Sequence, residues 1–287
     1  MKAHQEMFGV RQMCQVLGVS RSGYYAWRRR QPSRRSEANT VLLAEIRKAH
    51  QASRQSYGSP RVHAVLRRQG IVCGKNRVAR LMQANGIQGR VRRRSRPVTT
   101  QRAEGVLAAP NVLAQDFAAS RPNEKWVTDI TYIDTAEGWL YLASVLDLYS
   151  RKVVGWSMAN HMDTSLVKEA FRMAVTRRYP DPGLLHHSDQ GSQYTSMAYQ
   201  HCLSLLRCRV SMSRVGNCYD NAVMESFFSS LKLDCAFGQF ASRAQARSAI
   251  FEYIEAWYNR KRLHSSLGYL SPEEFESLSS SVISLVH

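Results

Sequence analysis

Between Trp126 and Asp134 the chain reads WVTDITYID, and its side chains fall into a period of two. Trp126, Thr128, Ile130 and Tyr132 share one face of the strand this implies; Val127, Asp129, Thr131 and Ile133 share the other. A turn at Glu137-Gly138 leads to a second strand, WLYLASVLDLYS, and a turn around Ser150-Arg151 leads to a third, KVVGWSMA. Three strands so closely joined predict an antiparallel meander. Beyond it the pattern predicts a helix over 164–178, a short apolar strand GLLHHSD, a helix near 196–206 and the strand CRVSMS. Helices over about 220–236 and 242–260 follow. This order specifies an α/β sheet covered by helices on its faces.

Upstream of Trp126 the period is helical. MFGVRQMCQVLGVSRSGYYAWRRR fits helix, tight turn, helix, with Gly18 at the turn and Ser20 as N-cap. The second helix presents Arg21, Tyr24, Tyr25, Arg28 and Arg29, the layout of a helix-turn-helix or of an ordinary helical hairpin. EANTVLLAEIRKAHQAS places Val41, Leu42, Ile46 and Ala49 at helical spacing. SPRVHAVLRRQG then starts with Ser59 as N-cap and Pro60 at the first helical position. KNRVARLMQANG, ended by Gly86, makes a third helix carrying Lys75, Arg77 and Arg80. RVRRRSRPVTTQR, with Arg92, Arg93 and Arg94, has no apolar period. It reads as a basic linker, either tracking a phosphate backbone or simply solvated.

Charge divides the chain. Residues 1–102 hold 23 Lys+Arg against 3 Asp+Glu, a balance of +20; the remainder holds 17 against 19, a balance of −2. So lopsided a distribution favours a polyanionic partner, since each phosphate neutralised releases counterions. No apolar run approaches the ~18 residues of a membrane helix, and the N-terminus lacks a secretory stretch, so a cytoplasmic protein without membrane partners is expected. Cys14, Cys73, Cys202, Cys208, Cys218 and Cys235 form no CxxC pair, which predicts reduced thiols without zinc or disulfides.

Three acids are candidates for chemistry. Asp129 lies mid-strand. Asp189 ends a short strand before a Gln190-Gly191 turn, at the edge where α/β sheets place ligands. Glu225 lies in DNAVMESFFSSLK, a helix expected to be capped by Asp220, with Lys232 two turns on along the same face. Such carboxylates suit Mg²⁺, and two ions roughly 3.5–4 Å apart serve in-line phosphoryl displacement. Taken singly, each acid reads more simply as a cap or surface charge. Asp147 and Asp134 are alternative strand acids, and His186 and His187 read as strand residues beside the site.

Thirty-five residues separate Asp189 from Glu225, and 59 separate Asp129 from Asp189. The spacing resembles the Asp-Asp-(35)-Glu signature of retroviral-type integrases and many bacterial transposases. WVTDITYI, LDLYSRKVVGW, HHSDQGSQYTS, GNCYDNAVMESFFSSLK and YNRKRLHSSLGYLSP resemble OrfB, the downstream-frame product of the insertion-sequence group with two overlapping frames. The resemblance implies an α/β ribonuclease H-like core, a mixed five-stranded sheet with flanking helices, preceded by small all-α helix-turn-helix modules. Composition and period divide the chain into a helix-turn-helix-like basic module over 1–36, a second such module over 37–90 and a basic linker and lead-in over 91–122, with the integrase-like core expected over 123–240 and a C-terminal helical segment over 241–287.

It also implies that Asp129, Asp189 and Glu225 hold two Mg²⁺ ions (Mn²⁺ substituting), and that Lys232 meets the element's end. Tyr258, Asn259, Arg260 and His264 match the family's C-terminal signature, as packing or as DNA contacts. The implied partners are double-stranded DNA (terminal inverted repeats and target), further copies of the chain on that DNA, and an upstream-frame product, OrfA. A bacterial, nucleoid-associated location follows from the same resemblance. No sustained heptad pattern appears in this chain. The alternative is a non-cleaving DNA-binding regulator with a degenerate integrase fold, against which the intact acid triple argues. A ribonuclease H-type nuclease gives no reason for two basic helical modules.

Overall fold

The computed structural model describes residues 1–90, 109–214, 217–235 and 238–284; Arg92, Arg93 and Arg94 lie outside them. The chain begins with a helical pair, α1 (Val10–Val16) and α2 (Arg21–Arg29), closed over Cys14 and Tyr24. Gly18 takes the turn at φ +64°, and the Ser20 hydroxyl accepts from Gly23 N at 3.0 Å. Both features follow the sequence expectation.

The second unit holds α3 (Arg34–Ala52), α4 (Ser59–Arg68) and α5 (Lys75–Ala84). Leu42, Ile46 and Ala49 form the buried stripe of α3, whereas Val41 is 67% exposed. At 100° per residue, position 41 falls off the stripe that 42, 46 and 49 define. The start of α4 is displaced by one residue from expectation. Gly58 is the cap, Ser59 opens the helix without a capping bond, and Pro60 follows it. Pro60 still sits where a missing N–H costs nothing.

The core sheet has order β3-β2-β1-β4-β5. β1 (Lys125–Ile133), β2 (Leu140–Asp147) and β3 (Val153–Ala159) form the antiparallel meander. β4 (Leu185–Ser188) adds parallel to β1, and β5 (Arg209–Met212) parallel to β4. Five strands in mixed orientation result. Trp126, Ala143 and Val145 pack on one face beneath α6 (Thr164–Arg178), α7 (Ser192–Thr195) and α8 (Met197–Leu205). Val127, Ile133, Leu142 and Leu146 pack on the other beneath α9 (Ala222–Asp234) and α10 (Arg243–Glu252). Asp129 pairs across the ladder with Ser144 and shares this α9 face, as the alternation predicts.

Tertiary partners reshape the C-terminal region. Asp220 does not cap α9; it is fully buried and ion-pairs with Arg214 at 3.0 Å. Asn221 occupies the cap position after a 3₁₀ turn. The expected long helix over 242–260 ends at Glu252 and continues as a π-helical turn, Tyr253–Tyr258. That wider turn buries Tyr253, Ile254, Trp257 and Tyr258 together. α11 (Pro272–Ser284) closes the described chain. A buried ion pair, Arg262–Asp234 at 3.2 Å, ties the end of α9 to the segment after the π turn.

Val62, Leu66 and Met82 share one apolar cluster with Leu146, Phe227 and Trp257, so the second helical unit and the sheet have a continuous core. Leu263 N donates to the Tyr57 hydroxyl at 2.7 Å, and Arg54–Glu252 and Arg68–Glu274 pair across the same seam. No described helix is long and apolar enough to cross a membrane.

At Gly155 the sheet lies close against α6: a Cβ there would lie 2.2 Å from Ala170 O and 2.7 Å from Ala174 Cβ. Gly155→Ala should therefore cost about 1–3 kcal/mol through overpacking, read as a lowered urea midpoint.

Candidate active site

The parallel register of β1 and β4 pairs Trp126 with His186 and Val127 with His187. Asp189 follows directly on the last residue of β4, beside Asp129 of β1 and close enough for its charge to act on that carboxyl. Both are half-buried. Asp129 Oδ1 accepts Ile130 N at 2.8 Å, and Asp189 Oδ1 accepts Gly191 N at 3.0 Å. A side chain at 191 would press on that carboxylate, because a Cβ would sit 3.0 Å from Asp189 Oδ1. Burial pushes the Asp129 carboxyl well above its ordinary range. The Asp189 charge adds to the rise and Glu225 reinforces it, while the Ile130 N–H and the Lys232 ammonium oppose it.

Glu225 stands in the first turn of α9 on an exposed position, its own carboxyl raised by partial burial. Lys232 lies 4.6 Å from the centre of the Tyr132 ring, over the end of β1. α9 is fastened to β1 by Asn221, whose Nδ2 donates to Thr128 O at 3.3 Å. The three acids thus share one electrostatic field, but their contributions differ. Asp129 and Asp189 are the adjacent pair, and Glu225 reaches them from the rim. Among the described residues, no three His, Cys, Asp or Glu side chains stand together as a ready metal cage. Two like charges already crowd the floor of the site, and a third carboxylate has no reason to close on them without a cation.

Several residues outside the acid triple shape this site. Tyr194 is buried, its hydroxyl 3.3 Å from Thr128 Oγ1, and the charges of Asp129 and Asp189 help keep its phenol protonated. The string QYT carried no periodic signal for it. His186 and His187 are fully buried neutral imidazoles, held down to about 3 and about 4, chiefly by burial. His186 shares a hydrogen bond with Tyr199, and His187 sits between Ser211 and Ser213. They support the β4 side of the site, as read from the sequence.

Asp147 is buried in an ion pair with Arg178 and takes the Asn123 N–H; Asp134 accepts from Gln239. Both are occupied structurally. Tyr258 and Asn259 are buried, and the Asn259 amide bonds both N and O of Val153, so these two are packing residues. Arg260 is exposed and paired with Glu273, and His264 is held neutral, down to about 3, by burial and neighbouring arginines.

Of the basic candidates, Arg21, Tyr25 and Arg28 are exposed on α2, and Lys75 and Arg80 on α5. Arg77 is half-buried, with Nε donating to Asn39 Oδ1 at 2.9 Å, which draws it into helix packing. Trp126 and Trp257 are core, whereas Trp139 and Trp27 are exposed at 47% and 58%.

Residues 119–218 match the integrase core domain, 206–272 match a second integrase core domain model, and 37–95 match an HTH-like domain. Transposase InsF for insertion sequence IS3A of Escherichia coli (strain K12) is 46% identical over 277 residues, 96% of each chain. The chain belongs to the IS3-family transposases. The transposase is also 44% identical over 264 residues to the uncharacterized 31 kDa protein of insertion element IS600 from Shigella sonnei, covering 92% of this chain and 97% of that one. Among solved structures it is similar to a simian T-cell lymphotropic virus intasome chain bound with a PP2A regulatory subunit. That match has TM-score 0.45 and 15% identity, over 74% of this chain and 69% of that one. The HTLV-2 integrase catalytic core in complex with magnesium matches with TM-score 0.40 and 15% identity, over 54% and 97%.

The raised Asp129 pKa has a stability consequence. The folded carboxyl holds its proton to higher pH than the unfolded one, so folding free energy is lost as pH rises from about 4 through the folded value. Asp129→Asn should raise the melting temperature of the metal-free transposase at pH 7 by a few degrees. At pH 4, where the wild-type acid is itself protonated, the difference should shrink toward zero.

Proposed function

We propose that the transposase cleaves and joins insertion-sequence ends at Asp129, Asp189 and Glu225. The observation that supports this reading is that Asp189, just past β4, acts by its charge on Asp129 of the adjacent β1, with Glu225 and Lys232 of α9 acting on the same carboxyl. The donors are hard carboxylate oxygens whose mutual repulsion a cation would relieve, so they fit Mg²⁺ or Mn²⁺. A pair of such ions, when bound, supplies Lewis-acid polarisation of the phosphoryl group and an activated water.

The chain's own residues bind and orient. Asp129 and Asp189 fix the floor of the site through the Ile130 and Gly191 N–H groups. Glu225 closes it from α9, and Lys232 receives a backbone phosphate of the element's end. Water attacks the phosphorus at that end and expels the 3′ oxygen, which leaves as a free 3′-OH while the phosphate stays on the 5′ side of the cut. The 3′-OH then attacks a second phosphodiester and expels its 3′ oxygen. Exchanging one phosphodiester for another needs no ATP.

Arg21, Tyr25, Arg28, Lys75 and Arg80 hold the terminal repeats and target as double-stranded DNA, with Arg77 contributing less directly. Arg92, Arg93 and Arg94, outside the described residues, are further candidates for phosphate contacts. Two ends must meet, so the working form is an oligomer of this chain on DNA, with an upstream-frame product, OrfA, as a further partner. The setting is the bacterial nucleoid.

Asp189→Asn should reduce cleavage and strand transfer of terminal-repeat oligonucleotides in Mg²⁺ to the level seen without protein, while mobility-shift binding persists. Joining at the wild-type rate by that variant would sink the assignment. Lys232→Gln should keep the fold and lower the slope of log affinity against log salt by about 0.9, the loss of one phosphate contact.

A further inference from the structure

Three buried oxygens in the walls of this site have no hydrogen-bond donor among the described residues: Asn221 Oδ1, Ser144 Oγ and Gln190 Oε1. Each belongs to a residue adjoining the acid pair. Ser144 is the cross-strand partner of Asp129 and is fully buried. Gln190 follows Asp189, its Nδ-equivalent amide nitrogen, Nε2, donating to Ser213 O at 2.9 Å. Asn221 is 7% exposed, contacts the residue before Asp129, and stands one helical turn before Glu225. Unsatisfied acceptors of this kind are uncommon in folded interiors, and three around one pair of carboxylates call for a donor.

The orientation of Asn221 is fixed by its bond. Nδ2 must face the Thr128 carbonyl, because a reversed amide would set two acceptors against each other. Oδ1 is therefore left to accept from something the described residues do not provide. A divalent cation held by the aspartates brings waters, whose O–H groups are donors only. Partners that receive such hydrogen bonds fix the hydration shell and tune affinity.

We infer that Asn221 is a positioning residue of the metal centre. Its Nδ2 anchors the first turn of α9, and with it Glu225, against β1; its Oδ1 receives a hydrogen bond from a water of the cation's hydration shell. Ser144 Oγ is a second acceptor for the same shell. The inference rests on the metal site proposed above and deepens it.

The test is Mn²⁺ binding to the full-length protein, followed by loss of the free-ion signal in electron paramagnetic resonance, alongside thermal melts without metal. Asn221→Ala should weaken Mn²⁺ about 10–100-fold, the range for partners one step removed from a metal. Ser144→Ala should weaken it in the same direction. Asn221→Asp, which keeps the acceptor and loses the donor to Thr128, should lower the metal-free melting temperature yet bind Mn²⁺ at least as tightly as wild type. That split separates acceptor from anchor, and it stands even where Asn221→Ala fails to fold. Equal Mn²⁺ affinity in a folded Asn221→Ala and wild type overturns the inference, as does equal weakening by the alanine and aspartate variants. Asp189→Asn is the control for the site itself: retained wild-type Mn²⁺ affinity there would remove the metal site, whereas its loss beside an unaffected Asn221→Ala would remove only the role given to Asn221.

Discussion

Asp129 lies on β1 and Asp189 just past the end of the adjoining β4, and each makes the other's negative charge more costly. A sheet interior ordinarily excludes such a pair, because desolvation and like-charge repulsion act in the same direction. Here the two Oδ1 atoms receive backbone N–H bonds, and the Lys232 ammonium lends a distant positive field. These interactions lessen the repulsion without cancelling it, since the Asp129 carboxyl remains raised. The arrangement is poor for folding and good for capturing a cation, and the rest of the core can be understood as the structure that tolerates it.

That tolerance comes from position. β1 is the middle strand of five, with a partner on each side and an apolar layer on each face. Trp126 and Val127, just upstream of Asp129, are both fully buried. A strand so enclosed cannot relieve repulsion by bending or fraying. α9 is held at its start by Asn221 on Thr128 and at its end by Asp234 on Arg262. Glu225 is thereby presented on a helix pinned at both ends while its side chain stays exposed and free to change rotamer. Rigid backbone with a movable third carboxylate suits a site that completes itself on binding.

Much of this was legible in the residues. The alternation from Trp126 to Ile133 put Asp129 on the α9 face, and the helix expected over 164–178 forms at Thr164–Arg178, where Asp163 caps it. Acid spacing and the motif strings pointed to the candidate site. What escaped was decided by partners distant in sequence. Asp220 looks like a helix cap locally, but Arg214 and Gln115 claim its carboxylate. Arg77 looks like a free recognition-helix cation until Asn39, on α3, takes its Nε. The π turn at Tyr253–Tyr258 answers to the packing of four large side chains, which no helical period encodes. Asn221 had no local signature, because its importance depends on Thr128, 93 residues earlier.

The charge asymmetry also changes meaning once the fold is known. Read along the chain, the N-terminal third is a uniform basic block. In the folded molecule, Arg54 and Arg68 are paired with Glu252 and Glu274 across the seam with the C-terminal segment. Arg61 lies over Tyr57, whose hydroxyl accepts the Leu263 N–H. Part of the positive charge therefore serves to fasten the second helical unit to the catalytic core, where burial and a shared apolar cluster make the attachment firm. The arginines of α2 and Lys75 and Arg80 of α5 stay exposed. In the function proposed above a polyanion meets those, and because the unit bearing α5 shares its core with β1, DNA held on α5 would be held in a fixed relation to the carboxylates.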